Sequence, residues 1–170
     1  LVDGIGAVVR LPFSNNLPYI FALRMKKQLT TIGAIDRIDL PELGISDLEC
    51  KIDTGAYTAT IHYSKAEVVE NDGQTQLHFC VLDKWHPQFN DTVHVATDFK
   101  EKKVRSSNGE SQIRYMVKTK AVLFGTTYPI TFTLSNRKKM RFPVLIGKKF
   151  LKNKFLVDVA QKDVSFLQKD

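Results

Sequence analysis

Short runs of alternating apolar and β-branched residues, each closed by a turn, recur from Thr30 onward, and no stretch holds the period of a long helix. A chain written this way folds as a sheet. Ile32, Ile35, Ile38 and Leu40 give a first strand, Pro41 to Gly44 a turn, and Leu48 to Ile52 a second strand. That second strand delivers Asp53 to a tight loop, Asp53-Thr54-Gly55-Ala56, before the run Tyr57 to Tyr63 leads away. Such a loop suits a working carboxylate: Thr54 offers a hydroxyl to lock it, Gly55 lets backbone come close, and backbone N–H groups face the carboxyl oxygens. An ordinary Asx-type turn has the same composition.

The rest of the chain continues the pattern. Val68-Val69 and Leu77 to Leu82 form a hairpin turning at Asn71-Asp72-Gly73. A loop spans Lys84 to Asn90, and Thr92 to Ala96 reads as a strand. Lys102 to Arg105 and Gln112 to Lys118 flank a Ser106-Ser107-Asn108-Gly109 tip, the composition of a mobile hairpin or of a plain exposed turn. Ala121 to Phe124 and Tyr128 to Leu134 are strand-like around Gly125-Thr126. Lys148 to Lys154 is the best helix candidate and is short, after which Phe155 to Val159 and Val164 to Leu167 complete the sheet. The fold class read from this is mainly β, a small closed or nearly closed barrel with one short helix near the C-terminus.

Several motifs in order resemble one family. Asp53-Thr54-Gly55-Ala56 after an apolar residue is similar to the active-site loop of retropepsin-type aspartic peptidases, and Phe142-Pro143-Val144-Leu145-Ile146-Gly147 is similar to the segment that runs beneath that loop. With Ile32-Gly33, Leu40 to Gly44, Thr58, His62, Val104 to Gly109, Arg114, Asn136-Arg137, Met140 and Phe155 to Asp158, the set resembles the bacterial retropepsin-like family also labelled ATP-dependent zinc proteases. The resemblance covers about residues 31 to 160. It implies an acid-protease barrel, with Asp53, Thr54 and Gly55 as the catalytic loop. It also implies a peptide-binding surface from Ala56, Arg105, Ser107, Asn108, Gly109, Arg114, Ile146 and Gly147, the hairpin tip being a flap that closes over bound peptide. Relatives are associated with an ATP-grasp ligase that adds glutamates to a small-subunit ribosomal protein, which implies acidic tails as substrate.

Aspartic peptidases need two carboxylates that share a proton, and this chain offers one Asp-Thr-Gly. The chemistry therefore predicts a homodimer with Asp53 of each chain on a two-fold axis. Two other readings compete: a peptide-binding module of the same fold without hydrolysis, and a zinc-dependent peptidase. His-Glu-x-x-His is missing and His62, His78, His86 and His94 show no i, i+4 spacing, so no metal is expected. His62 is as well read as a satisfied core histidine as a functional one. No Gly-x-x-x-x-Gly-Lys-Ser/Thr loop is present, so no nucleotide cofactor is expected either.

With 170 residues and 43% hydrophobic composition, one domain with a sizeable core is expected over residues 30–170. Residues 1–29 read as an N-terminal extension, with Met25 as a natural start. A net charge of +7 favours anionic partners, and Asn136 to Val157 carries eight basic residues and no acid. Arg105, Arg114 and that run suit an acidic peptide. Nucleic acid is not the expected partner, since aromatics are scattered and no reading module is present. No run is apolar enough to span a bilayer, so no membrane partner is expected. Cys50 and Cys80 make neither a disulfide framework nor a zinc motif, and a reduced cytoplasmic setting is the simpler reading.

Overall fold

The structure, a computed structural model, describes residues 28–105 and 111–169. Within them ten strands follow in order: β1 (Thr30–Leu40), β2 (Ile45–Asp53), β3 (Ala59–Asn71), β4 (Gln74–Val81), β5 (His94–Ala96), β6 (Phe99–Arg105), β7 (Ser111–Leu123), β8 (Thr126–Ser135), β9 (Val144–Gly147) and β10 (Phe155–Lys162). One α-helix, α1 (Lys148–Leu151), and 3-10 turns at Pro41–Leu43 and Phe166–Gln168 complete the described elements. The residues proposed above as an N-terminal extension lie outside the described residues up to position 27.

The strands β1, β2, β9, β3, β8 and β7 pair in that order, and Asp39 of β1 meets Val122 of β7, which closes the barrel. Alternation explains it. Ile32, Ile38 and Leu40 of β1, Leu48, Cys50 and Ile52 of β2, Ile61 of β3, Phe132 and Leu134 of β8, and Val144 and Ile146 of β9 all bury their side chains in one interior cluster. Strand β10 runs parallel to the first half of β1, pairing Thr30 with Phe155 and Gly33 with Asp158. Strand β6 flanks β7, and the β4–β5 pair extends from β3.

Two turns are set by their residues. Asp72 (φ 51°) and Gly73 (φ 76°) are both left-handed, the signature of the hairpin turn read from the sequence. At the β7–β8 connection the turn is centred on Phe124 (φ 52°) and Gly125 (φ 63°), one residue earlier than expected, and Ala121 to Leu123 belongs to β7 rather than to a separate strand. The Phe124 N–H donates to Ser165 Oγ at 2.6 Å, which helps hold this bulky residue in an unfavourable backbone region.

Some elements are shorter than expected. The helix ends at Leu151, where Lys152 adopts an extended backbone and Asn153 a φ of 62°. The fifth strand begins at His94 rather than Thr92. Val164 to Leu167 is not a strand: Ser165 and Phe166 donate their N–H groups to the buried Asp36 carboxylate at 2.9 and 3.2 Å, which folds the segment into a turn. No helix among the described residues is long and apolar enough to cross a membrane.

Candidate active site

Strand β2 ends on Asp53 because β9 lies parallel beside it, pairing Ile52 with Ile146 and Asp53 with Gly147. Gly147 is where the two segments press together. A Cβ built there would stand 2.6 Å from the Thr58 carbonyl oxygen, so no other residue fits without backbone movement. Just beyond it, the Lys148 N–H donates to the Ala56 carbonyl at 2.8 Å and the Lys149 N–H to the Tyr57 carbonyl at 2.9 Å. The 53–58 loop is thereby clamped by the segment that the sequence placed beneath it.

The carboxylate is held from within the loop. Gly55 and Ala56 donate their N–H groups to Asp53 Oδ1 at 3.0 and 3.1 Å, which fixes one oxygen, while Oδ2 has no hydrogen-bond partner among the described residues. Asp53 is half-buried. The Thr54 hydroxyl, expected to lock the loop, is exposed and makes no hydrogen bond with the described residues.

Strand register shows what shares the Asp53 face. Lys51 lies opposite Leu145, Leu145 opposite Thr60, Thr60 opposite Thr133, and Thr133 opposite Met116. Asp53 is two residues along β2 from Lys51, His62 two along β3 from Thr60, and Arg114 two along β7 from Met116, so all three share this face, with His62 and Arg114 toward the end opposite Asp53. Ile146 does not: its side chain is fully buried in the barrel, and the half-buried apolar residue of this segment on that face is Leu145. Ala56 and Gly147 serve the loop itself. Arg105 ends β6 opposite Ser111, at the base of the proposed flap, while Ser107, Asn108 and Gly109 lie outside the described residues.

One cluster at this face was not legible as a unit. His62, 6% exposed, accepts the Arg137 N–H at Nδ1 (2.9 Å), so its ring proton resides on Nε2, 3.2 Å from Asp83 Oδ2. That contact is close, but its angle falls short of a well-formed hydrogen bond. Burial pushes the Asp83 carboxyl up, and the His62 contact together with the Trp85 N–H outweighs it, leaving the group below its ordinary value. Arg137 donates Nε–H to the Phe142 carbonyl at 2.9 Å. Burial lowers its pKa, and the nearby Asp53 charge acts in the opposite direction. In the sequence Arg137 stands out only as part of the Asn136-Arg137 motif and of a basic run, with nothing to tie it to His62 or Asp83.

Other chemistries find less support. Cys50 is fully buried, which raises its thiol pKa, as does the Asp36 charge, so it is no nucleophile. Among the described residues no group of three or more His, Cys, Asp or Glu is gathered as a metal requires, and both ring nitrogens of His62 are already engaged or faced. The donor set does not fit a zinc ion.

The family model of the retropepsin-like aspartic endopeptidase RimB matches residues 31–167. The chain belongs to the RimB-like family. This membership agrees with the barrel and with the Asp53 loop. A solved structure from Legionella pneumophila, a protein of unknown function, superposes with a TM-score of 0.65, covering 81% of this chain and 99% of its own at 24% identity, a likeness of fold alone. Curated relatives carry another name: proteins of Shewanella pealeana (29% identical over 134 residues) and Desulfotalea psychrophila (30% over 133) are each named probable alpha-L-glutamate ligase. Each match takes in 76% of this chain and 28% of the relative, so the RimB-like chain spans little more than a quarter of those proteins.

Proposed function

We propose that this chain is an aspartic-type peptidase in which Asp53 of two copies activates one water. The observation that carries the reading is the Asp53 carboxylate, fixed through one oxygen by two backbone N–H groups on a loop clamped over Gly147, in a chain of the RimB-like family. In the paired site one carboxylate takes the proton of the water and the other, protonated, donates to the scissile carbonyl. Two such groups about 3 Å apart cannot both stay ionised. What supports a second copy is exposed apolar surface: Tyr57 of the loop is 62% exposed, and on the edge strand β10 Leu156 and Val159 are 59% and 82% exposed. A recess of about 460 Å³ lined by Thr54, Tyr57, Lys148, Leu151, Phe155 and Val157 joins the two.

Acidic, glutamate-rich tails are the substrate class proposed. The net charge of +7, Arg137 within reach of the Asp53 charge, Arg114 on the same face, and the glutamate ligase names of relatives that contain a similar segment all favour it. Replacing Asp53→Asn removes the base while keeping the acceptor oxygen of the loop. Hydrolysis of a glutamate-rich peptide is expected to fall by about 100-fold or more with an unchanged melting temperature. Undiminished turnover in that variant would exclude the peptidase reading.

A further inference from the structure

Arg137 carries more hydrogen-bonding capacity than the fold uses. A guanidinium has five N–H donors in a rigid fork. Here Nε is fixed on the Phe142 carbonyl, while the Nη groups make no hydrogen bond or ion pair among the described residues. The side chain is half-buried yet stays close enough to Asp53 for that charge to act on it, without a salt bridge between the two. Its backbone is anchored as well, because the N–H of Arg137 ends on His62 Nδ1, and His62 is buried against Asp83 and tied by its own N–H to the Pro143 carbonyl at 2.8 Å.

The face between these groups mixes threonine hydroxyls with the apolar Leu145. Strand register puts His62, Thr60 and Thr133 on the face that ends at Asp53, and the Thr60 hydroxyl there is buried without a partner among the described residues. A half-buried cation held at Nε, with its Nη groups uncommitted among the described residues, offers the fork that a carboxylate takes.

We propose that Arg137 is a specificity-determining residue that grips a substrate carboxylate flanking the bond at Asp53, and that His62 is its positioning residue. This rests on the Asp53 loop being where peptide binds. Only an unprotonated Nδ1 accepts the Arg137 N–H, so His62 serves as a neutral acceptor held in place by its contact with Asp83. A lysine would keep the charge but lose both the Nε anchor and the fork.

The test is binding of a labelled glutamate-rich peptide and its glutamine counterpart to the full chain carrying Asp53→Asn, with melting temperatures measured alongside. The glutamate peptide is expected to bind more tightly. Arg137→Gln is expected to shrink that preference on the order of tenfold, with Arg137→Lys restoring little of it. His62→Phe should reduce the preference too, and His62→Asn, whose Oδ1 stands in for Nδ1, should recover most of it. A preference untouched by Arg137→Gln, an equal loss for both peptides, or no preference in the parent overturns the proposal. Should Arg137→Gln fail to fold, Arg137→Lys decides alone, and full retention of the preference in it is fatal. The two readings separate cleanly. An Arg137-dependent preference in a chain whose Asp53 form cleaves neither peptide removes the peptidase and leaves this inference, whereas cleavage with a preference indifferent to Arg137 does the reverse.

Discussion

At the level of single residues, the site rests on how closely backbone can approach backbone. Gly147 shows it best, because its missing side chain is what lets the 53–58 loop lie on β9. Gly147→Ala places a methyl 2.6 Å from the Thr58 carbonyl and is expected to cost about 1–3 kcal/mol, measured by urea denaturation, and to lower activity by shifting Asp53. By contrast Gly55→Ala meets only Asp53 Oδ1, at 3.3 Å, and should disturb the carboxylate more than the fold. Residues of this kind were legible in the sequence, since a glycine directly after a proline-led apolar run and an Asp-Thr-Gly turn are local signals. The Arg137–His62–Asp83 cluster was not. Its members are far apart in the chain: the β3–β4 hairpin returns Asp83 to His62, and the pairing of β3 with β8 and the path of the following loop bring Arg137 there.

Elements were read well wherever alternation and a turn agreed, as in β1, β2 and the β3–β4 hairpin. They were misread where the deciding contact was distant. Val164 to Leu167 alternates like a strand, but the Asp36 carboxylate, 129 residues from Ser165, captures its backbone donors. Strand β5 carries a prediction of its own. His94 packs its ring 5.5 Å from that of Phe79, Nε2 is buried without a partner among the described residues, and burial lowers its pKa below the ordinary 6.5. Folding thus disfavours the charged imidazole, so the stability tied to the neutral ring is present above 6.5 and is lost as pH falls through the lowered value. Burial depresses His86 in the same direction, with His62 adding to it and Asp83 opposing. Thermal melting taken from about pH 7 to about pH 5 should show a falling midpoint, and His94→Phe should flatten part of that fall. An equal slope in the variant would show that β5 has no share in it.

For the whole molecule, the barrel closes around its own core but leaves open strand edges outside it. Strand β1 is paired along both edges, whereas β10 beside it is an edge strand whose outward residues include Leu156 and Val159. Natural sheets blunt such edges with charge, yet the acidic and basic residues of β10, Asp158 and Lys162, leave Val159 exposed between them. If a second copy covers this edge and brings Asp53 to Asp53, the same surface governs assembly and catalysis. Val159→Lys should then weaken self-association by about tenfold or more in sedimentation experiments, with little change in the monomer's melting temperature. Activity per chain in that variant should become steeply dependent on protein concentration and recover as concentration rises, because dilution separates the two carboxylates without altering either. A variant that stays fully active at dilutions where it sediments as a monomer would require the second proton carrier to come from within one chain.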